Sequence, residues 1–235
     1  MKTGHSSRAK PRARRSYQSA LRTAQAEQTR QRIVSSAAEL FDERGYAGTQ
    51  LRAIADRAGV SIQSVQLNGP KAALLLAALE LVVTGGEGGE SVFDAARSAE
   101  LAPQLTSPAA FLSAAAEFST AANQNGQGLW RALEAAAAED PAVDEVYQDL
   151  VRRQIADCRR TIERIVEWRA LREDRTPTEA ADLLYALVLP DLYDRLVTRA
   201  GWPVERYRRW LTDVLVEQIL DPGQRTDAVA SPSGQ

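Results

Sequence analysis

The sequence predicts an all-α protein, with an N-terminal three-helix unit of helix-turn-helix form followed by a larger helical domain. Three observations predict this. Leu51-Arg-Ala-Ile-Ala-Asp-Arg-Ala-Gly-Val-Ser61 has the spacing of two short helices about a tight turn. There, Leu51, Ile54, Ala55 and Ala58 share an apolar face, Gly59 closes one helix and Ser61 can cap the next. Beyond residue 90 apolar residues recur at helical spacing, and neither strand alternation nor an internal repeat stands out. With 235 residues, 44% hydrophobic and 26% charged, the chain can bury a sizeable core.

Taken in order, residues 1–23 are polar, Arg-rich and without periodicity, and read as a disordered basic arm. The first helix is expected over about Gln25–Arg44, where Ile33, Ala37, Leu40 and Phe41 line one side and Gly45 stops it. Thr49 is placed to cap the second helix, which ends near Ala58. The third runs from Ile62 to about Asn68 and is ended by Gly69-Pro70, closing a unit over residues 24–70. A fourth begins near Lys71 and opens a second domain over 71–221. Gly85-Gly86-Glu87-Gly88-Gly89 reads as a loop. Pro108–Ala122 and Gly128–Glu139 read as two Ala-rich helical segments. Asp140-Pro141 then starts a long helix with Val143, Tyr147, Leu150, Ile155, Cys158, Ile162 and Ile165 on one side. Arg152, Arg153, Arg159, Arg160 and Arg164 form a solvated face opposite. Thr176-Pro-Thr-Glu179 is a helix start, and Pro190 should kink or interrupt that helix. A last helix carries Tyr207, Trp210, Leu211, Val214 and Leu215, and residues 222–235 read as a disordered Pro/Gly/Ser tail.

Charge is distributed unevenly. Residues 1–32 hold nine basic groups against one acid, +8 out of a total of −2, which leaves −10 for the remainder. A solvated tail is the simpler reading of such a run. Beside a helix-turn-helix it reads as an arm for nucleic acid, with Arg12, Arg14 and Arg15 tracking the phosphates or entering the minor groove. The only histidine, His5, lies in that arm, and Cys158 is the only cysteine. Nucleophile–His pairs, His-ligated metal sites and intramolecular disulfides are thereby excluded from the body. Cys158 reads as a small buried hydrophobe rather than a redox sensor. The sequence therefore predicts no enzyme, no cofactor and no metal. With no evident signal peptide and no span of membrane length, it predicts a cytoplasmic protein without a membrane partner.

The combination Arg32-Ile33, Ala37-Ala38-Glu39-Leu40-Phe41, Glu43-Arg44-Gly45-Tyr46, Thr49, Arg52, Ile54-Ala55, Arg57-Ala58-Gly59-Val60-Ser61, Lys71 and Leu74-Leu75 resembles the TetR/AcrR family of one-component transcriptional regulators over about 45 residues. The resemblance implies a DNA-binding domain and then a ligand-binding and dimerisation domain, with double-stranded DNA, a small-molecule effector and a second copy of the chain as partners. By position it places Thr49, Arg52 and Lys71 at phosphate or bases, and Ser61, Gln63, Ser64, Gln66 and Asn68 on the recognition helix. The departure lies in Gln66-Leu67-Asn68-Gly69-Pro70, where the family usually carries aromatics and one more residue before the lysine. Gln66 and Asn68 retain amides able to serve base edges or phosphates.

The family's layout makes Phe111, Phe118, Trp130, Tyr147 and Cys158 candidates for the effector pocket. Ordinary core is the competing reading of aromatics at helical spacing. If a pocket exists, a mostly apolar molecule is the expected occupant. Leu183, Leu184, Leu187, Leu192, Trp210, Leu211 and Val214 are candidate dimer contacts, preferred over simple closure of the monomer core because Leu183–Leu189 is apolar nearly all round. The expected function is a homodimeric regulator, a repressor released from a palindromic operator by its effector. The alternative is a fold of this kind that has lost specific DNA binding and acts through a protein partner.

Overall fold

The computed structural model describes residues 12–84 and 107–225, with side chains from residue 22 onward. Its helices are α1 (Arg12–Arg44), α2 (Leu51–Ala58), α3 (Ile62–Leu67), α4 (Lys71–Thr84), α5 (Pro108–Ala137), α6 (Pro141–Glu167), α7 (Pro177–Val188), α8 (Pro190–Tyr193) and α9 (Val204–Ile219). Among the described residues there is no strand, and one isolated bridge pairs Leu171 with Leu220. The Gly85–Gly89 loop and residues 226–235 lie outside the described residues.

Most helix ends follow from local chemistry. Asp140 accepts from the Ala142 N–H at 3.0 Å ahead of Pro141. Thr176 and Glu179 form a reciprocal capping box ahead of α7. Gly45 and Gly59 adopt φ of 68° and 64°, the left-handed geometry that ends α1 and α2. Pro190 breaks the apolar run. Leu189 is extended, and the chain restarts as α8 and passes through a π-helical stretch, Asp194–Arg199.

Three expectations are corrected. α1 begins at Arg12, thirteen residues before the expected start, so residues 12–23 are helical. That stretch is Arg- and Ala-rich, good helix-forming composition, but it offers no apolar stripe to read. The two Ala-rich segments are one helix, α5, passing through Gly126 and Gly128. A Cβ at Gly128 would lie 1.7 Å from Asp42 Oδ1, and one at Gly126 would press on Val83 and Leu79 at 3.2 and 3.3 Å. These glycines therefore serve close packing, not a break. Residues 222–224 form a 3₁₀ turn capped by Asp221, so the tail begins later than residue 222.

Two cores result. The first unites Ile33, Phe41, Ile54, Val65, Leu74, Leu75 and Leu79 with Leu133, Val143 and Leu150, so α4, α5 and α6 continue the core of the first three helices across residue 70. The second gathers Leu112, Cys158, Ile162, Leu184, Tyr207, Leu211 and Leu215 from α5, α6, α7 and α9.

Candidate nucleic-acid interface and body cavity

The six residues of α3 are too few to hold a helix alone, so its presentation depends on anchors. Ser61 caps it, accepting from the Ser64 N–H at 3.0 Å. Val65 is fully buried against the first core. Arg32 donates to the Ala58 and Gly59 carbonyls at the turn before α3, and Arg30 donates to the Asn68 carbonyl after it, at 3.2 Å. Arg57 grips Glu43 through two donors at 2.7 and 2.9 Å, tying α2 to α1. The guanidinium holds the Glu43 carboxyl below its ordinary range. With α3 fixed at both ends, Gln63, Gln66 and Leu67 face solvent, and Leu67 is 81% exposed.

The residues proposed for DNA separate into groups. Arg52 is exposed and paired with Asp56 at 3.1 Å, one helical turn away, a contact weak enough in water to yield to a phosphate. Thr49 is a correction. It is fully buried, its hydroxyl reaches the carbonyls of Leu40 and Gly45 at 3.0 and 2.8 Å, and Gln50 stands at the N-cap of α2. It can serve neither as cap nor as DNA contact. Ser64 is half-buried with its hydroxyl 2.8 Å from Ser61 Oγ. Asn68 is turned inward: its amide donates to the Ser64 carbonyl at 2.7 Å and its Oδ1 accepts from Arg30 at 3.4 Å. Of the two amides expected to serve base edges, Gln66 alone faces solvent. Arg12, Arg14 and Arg15 stand on the first turn of α1, and their side chains lie outside the described residues.

Lys71 also departs from expectation. Its ammonium sits 4.0 Å from the centre of the Tyr46 ring, and Tyr46 donates to Asp140 Oδ2 at 3.2 Å. Burial lowers the Lys71 pKa while Asp140 opposes the shift; burial, then Asp140, pushes Tyr46 up to about 12. These three groups line a polar cleft of about 1140 Å³ between the end of α1 and the α5–α6 corner. Lys71 is therefore half-buried at this cleft and links the first three helices to the body.

In the body, Phe118, Trp130 and Cys158 converge on one cavity, together with Val83, Ser119, Asn123, Asp157, Tyr185 and Val188. Sequence reasoning missed the polar members. Asn123 and Asp157, each 4% exposed, interrupt the apolar stripes of α5 and α6, which is the signal that was available. Ser119 and Asn123 donate to the Val188 carbonyl at 3.2 and 3.0 Å, satisfying the backbone where Pro190 ends α7. The Trp130 indole N–H is buried without a partner. Burial, then the neighbouring Asp157 charge, pushes the Cys158 thiol up to about 12, so it stays protonated and unreactive. Phe111 and Tyr147 do not join them. Phe111 packs edge-on to Trp168 at 5.5 Å, and Tyr147 packs on the first core.

The expected dimer residues divide as well. Leu184 and Leu211 are fully buried in the second core of the monomer, a correction to their assignment as contacts. Leu183, Leu187, Leu192, Trp210 and Val214 are only half-buried. On the arginine face of α6, Arg152, Arg160 and Arg164 are exposed and ion-paired, Arg159 is exposed, and Arg153 reaches across to Glu80 of α4 at 2.9 Å.

The fold and site define an all-α helix-turn-helix protein with a rigidly anchored third helix and a small cavity in its body. Residues 33–66 match the family model of bacterial regulatory proteins of the tetR family. Solved structures share the fold. A protein of Saccharomonospora viridis described as a transcriptional regulator, in complex with choline, is 22% identical, with a TM-score of 0.64 over 83% of this chain and 99% of its own. NalD of Pseudomonas aeruginosa, the secondary repressor of the MexAB-OprM multidrug efflux pump, is 23% identical, with a TM-score of 0.59 over 84% and 99%. SmeT in complex with triclosan is 22% identical, with a TM-score of 0.63 over 88% and 99%. No curated protein matches the sequence. Over residues 33–66 the chain is thus similar to the tetR family of bacterial regulatory proteins, and over most of its length it shares the fold of these solved structures.

Proposed function

We propose that this chain is a homodimeric repressor that binds a palindromic operator through α3 and is released by a small, mostly apolar effector lodged in the body cavity. The observation that carries the DNA reading is the anchoring of α3, which turns Gln63, Gln66 and Leu67 outward while Val65 locks the opposite side into the core. Ser61 and Arg52 complete the surface, and the basic residues Arg12, Arg14 and Arg15 on α1 add attraction for phosphate. The half-buried Leu183, Leu187, Leu192, Trp210 and Val214 support a dimer, which holds two copies of α3 about 34–36 Å apart for successive major grooves.

The cavity supports the switch. Its free space is about 40 Å³, room for roughly one water, so an effector must part α5, α6 and α7. Val83, near one end of α4, lines it, and Lys71 at the other end follows α3 by four residues. α4 is thus a lever of about 21 Å between cavity and recognition helix. Arg153 and Glu80 couple it to α6. An effector that favours the parted state disfavours the operator-bound spacing, and operator must weaken effector by the same factor. The choline and triclosan complexes of fold relatives favour a regulator responsive to small molecules.

The test is binding of the full chain to labelled duplex DNA across a salt series, with stoichiometry read at saturation. A steep negative slope of log affinity on log salt and two chains per site support the reading. Binding that ignores salt, or no binding below micromolar protein, overturns it.

A further inference from the structure

Only three large apolar side chains are exposed among the described residues, and two of them stand on the six residues of α3: Ile62, 39% exposed, and Leu67, 81% exposed. The inward position of this helix is already filled by Val65. Each exposed aliphatic has an exposed amide one helical turn away on its own face, Ile62 beside Gln66 and Leu67 beside Gln63. The major-groove edge of an A·T pair displays the matching pattern, the adenine N7 acceptor and N6 donor next to the thymine C5-methyl. The charge around α3 suits the same partner. Arg52 is exposed on α2, and Arg30 of α1 meets the Asn68 carbonyl at the end of α3.

We propose that α3 reads A·T pairs through two aliphatic–amide couples, with Leu67 and Ile62 seated on thymine methyls and Gln63 and Gln66 on adenine edges. This rests on the DNA-binding reading above. It assigns sequence choice to Leu67, a residue that neither phosphate attraction nor amide hydrogen bonding would single out.

Deoxyuridine differs from thymidine at this edge only by the missing methyl, so it isolates the contact. The full chain is measured against a duplex enriched from a random pool, with each thymine replaced in turn by deoxyuridine. Two thymines per half-site should each lose about fourfold in affinity, the equivalent of leaving one methyl group in water. Leu67→Ala should be insensitive at one of these positions and Ile62→Ala at the other; both side chains are exposed, so circular dichroism should show unchanged folding. An enriched duplex that tolerates deoxyuridine everywhere, or variants that lose as much as the wild type at both positions, overturns the couples while leaving DNA binding standing. If no duplex is enriched and the chain binds only protein, the DNA reading falls and this inference falls with it.

Discussion

Replacing Thr49 by valine separates a buried strut from a DNA contact. The side chain is fully buried, and its hydroxyl is the donor to the Leu40 and Gly45 carbonyls across the turn that leads into α2. Valine is nearly isosteric, so no cavity opens, and the loss is that of a buried hydrogen-bond donor. Leaving a buried acceptor without its partner costs roughly 1–3 kcal/mol. In a chain of this size, 1 kcal/mol moves Tm by about 2–4 °C. Thr49→Val should therefore melt about 2–12 °C lower, followed by circular dichroism at 222 nm. Operator affinity, measured well below the transition, should change less than about twofold, because the hydroxyl never reaches the interface. A variant with unchanged Tm and an affinity loss of fivefold or more would refute the burial argument and return Thr49 to the DNA surface.

Gln66→Ala should reduce discrimination between the selected site and a single-base variant by about 1–3 kcal/mol, read by competition binding, if its amide is bidentate to a base. Asn68→Ala should instead lower thermal stability by about 1 kcal/mol and spare specificity, since its amide holds the end of α3 to Ser64 and Arg30. A specificity change on Asn68→Ala would contradict the inward orientation. Cys158, with its thiol pushed up to about 12, should resist iodoacetamide at pH 8 in the native protein and react once unfolded, as mass spectrometry would show; modification at the rate of a free thiol would contradict its burial. The Arg172 hydrogen bond holds the Asp174 carboxyl down to about 2. A depressed folded pKa contributes stability above the ordinary carboxylate value of 3.8, and that stability is lost as pH falls toward 2. Asp174→Asn should thus melt below the wild type at pH 7 and converge with it near pH 2; a constant gap across that window would remove the linkage.

What the sequence made legible was chemistry acting over one helical turn. Ser61, Gly59, Gly45, Asp140-Pro141 and Thr176 with Glu179 announce helix ends because each satisfies or releases a nearby backbone group. What it hid was set by partners far along the chain. Asn68 turns inward because Arg30, thirty-eight residues earlier, meets it. Gly126 and Gly128 looked like a break because their reason, close approach of Leu79, Val83 and Asp42, lies on other helices. The apolar girdle of α7 could not say which of its leucines face the monomer core, and Leu184 does. For the candidate site, three of five expected cavity residues meet, while the polar wall formed by Ser119, Asn123 and Asp157 was visible only as interruptions of a stripe.

The central claim is that α3 reads sequence on behalf of a dimer, and selection of bound duplexes from a random DNA pool by the full chain tests it most directly. Selection should recover a palindrome with half-sites about one helical turn apart. Each half-site should carry thymines whose loss is felt by Leu67 and Ile62. A pool that remains random after selection, bound only weakly and in proportion to falling salt, would contradict it.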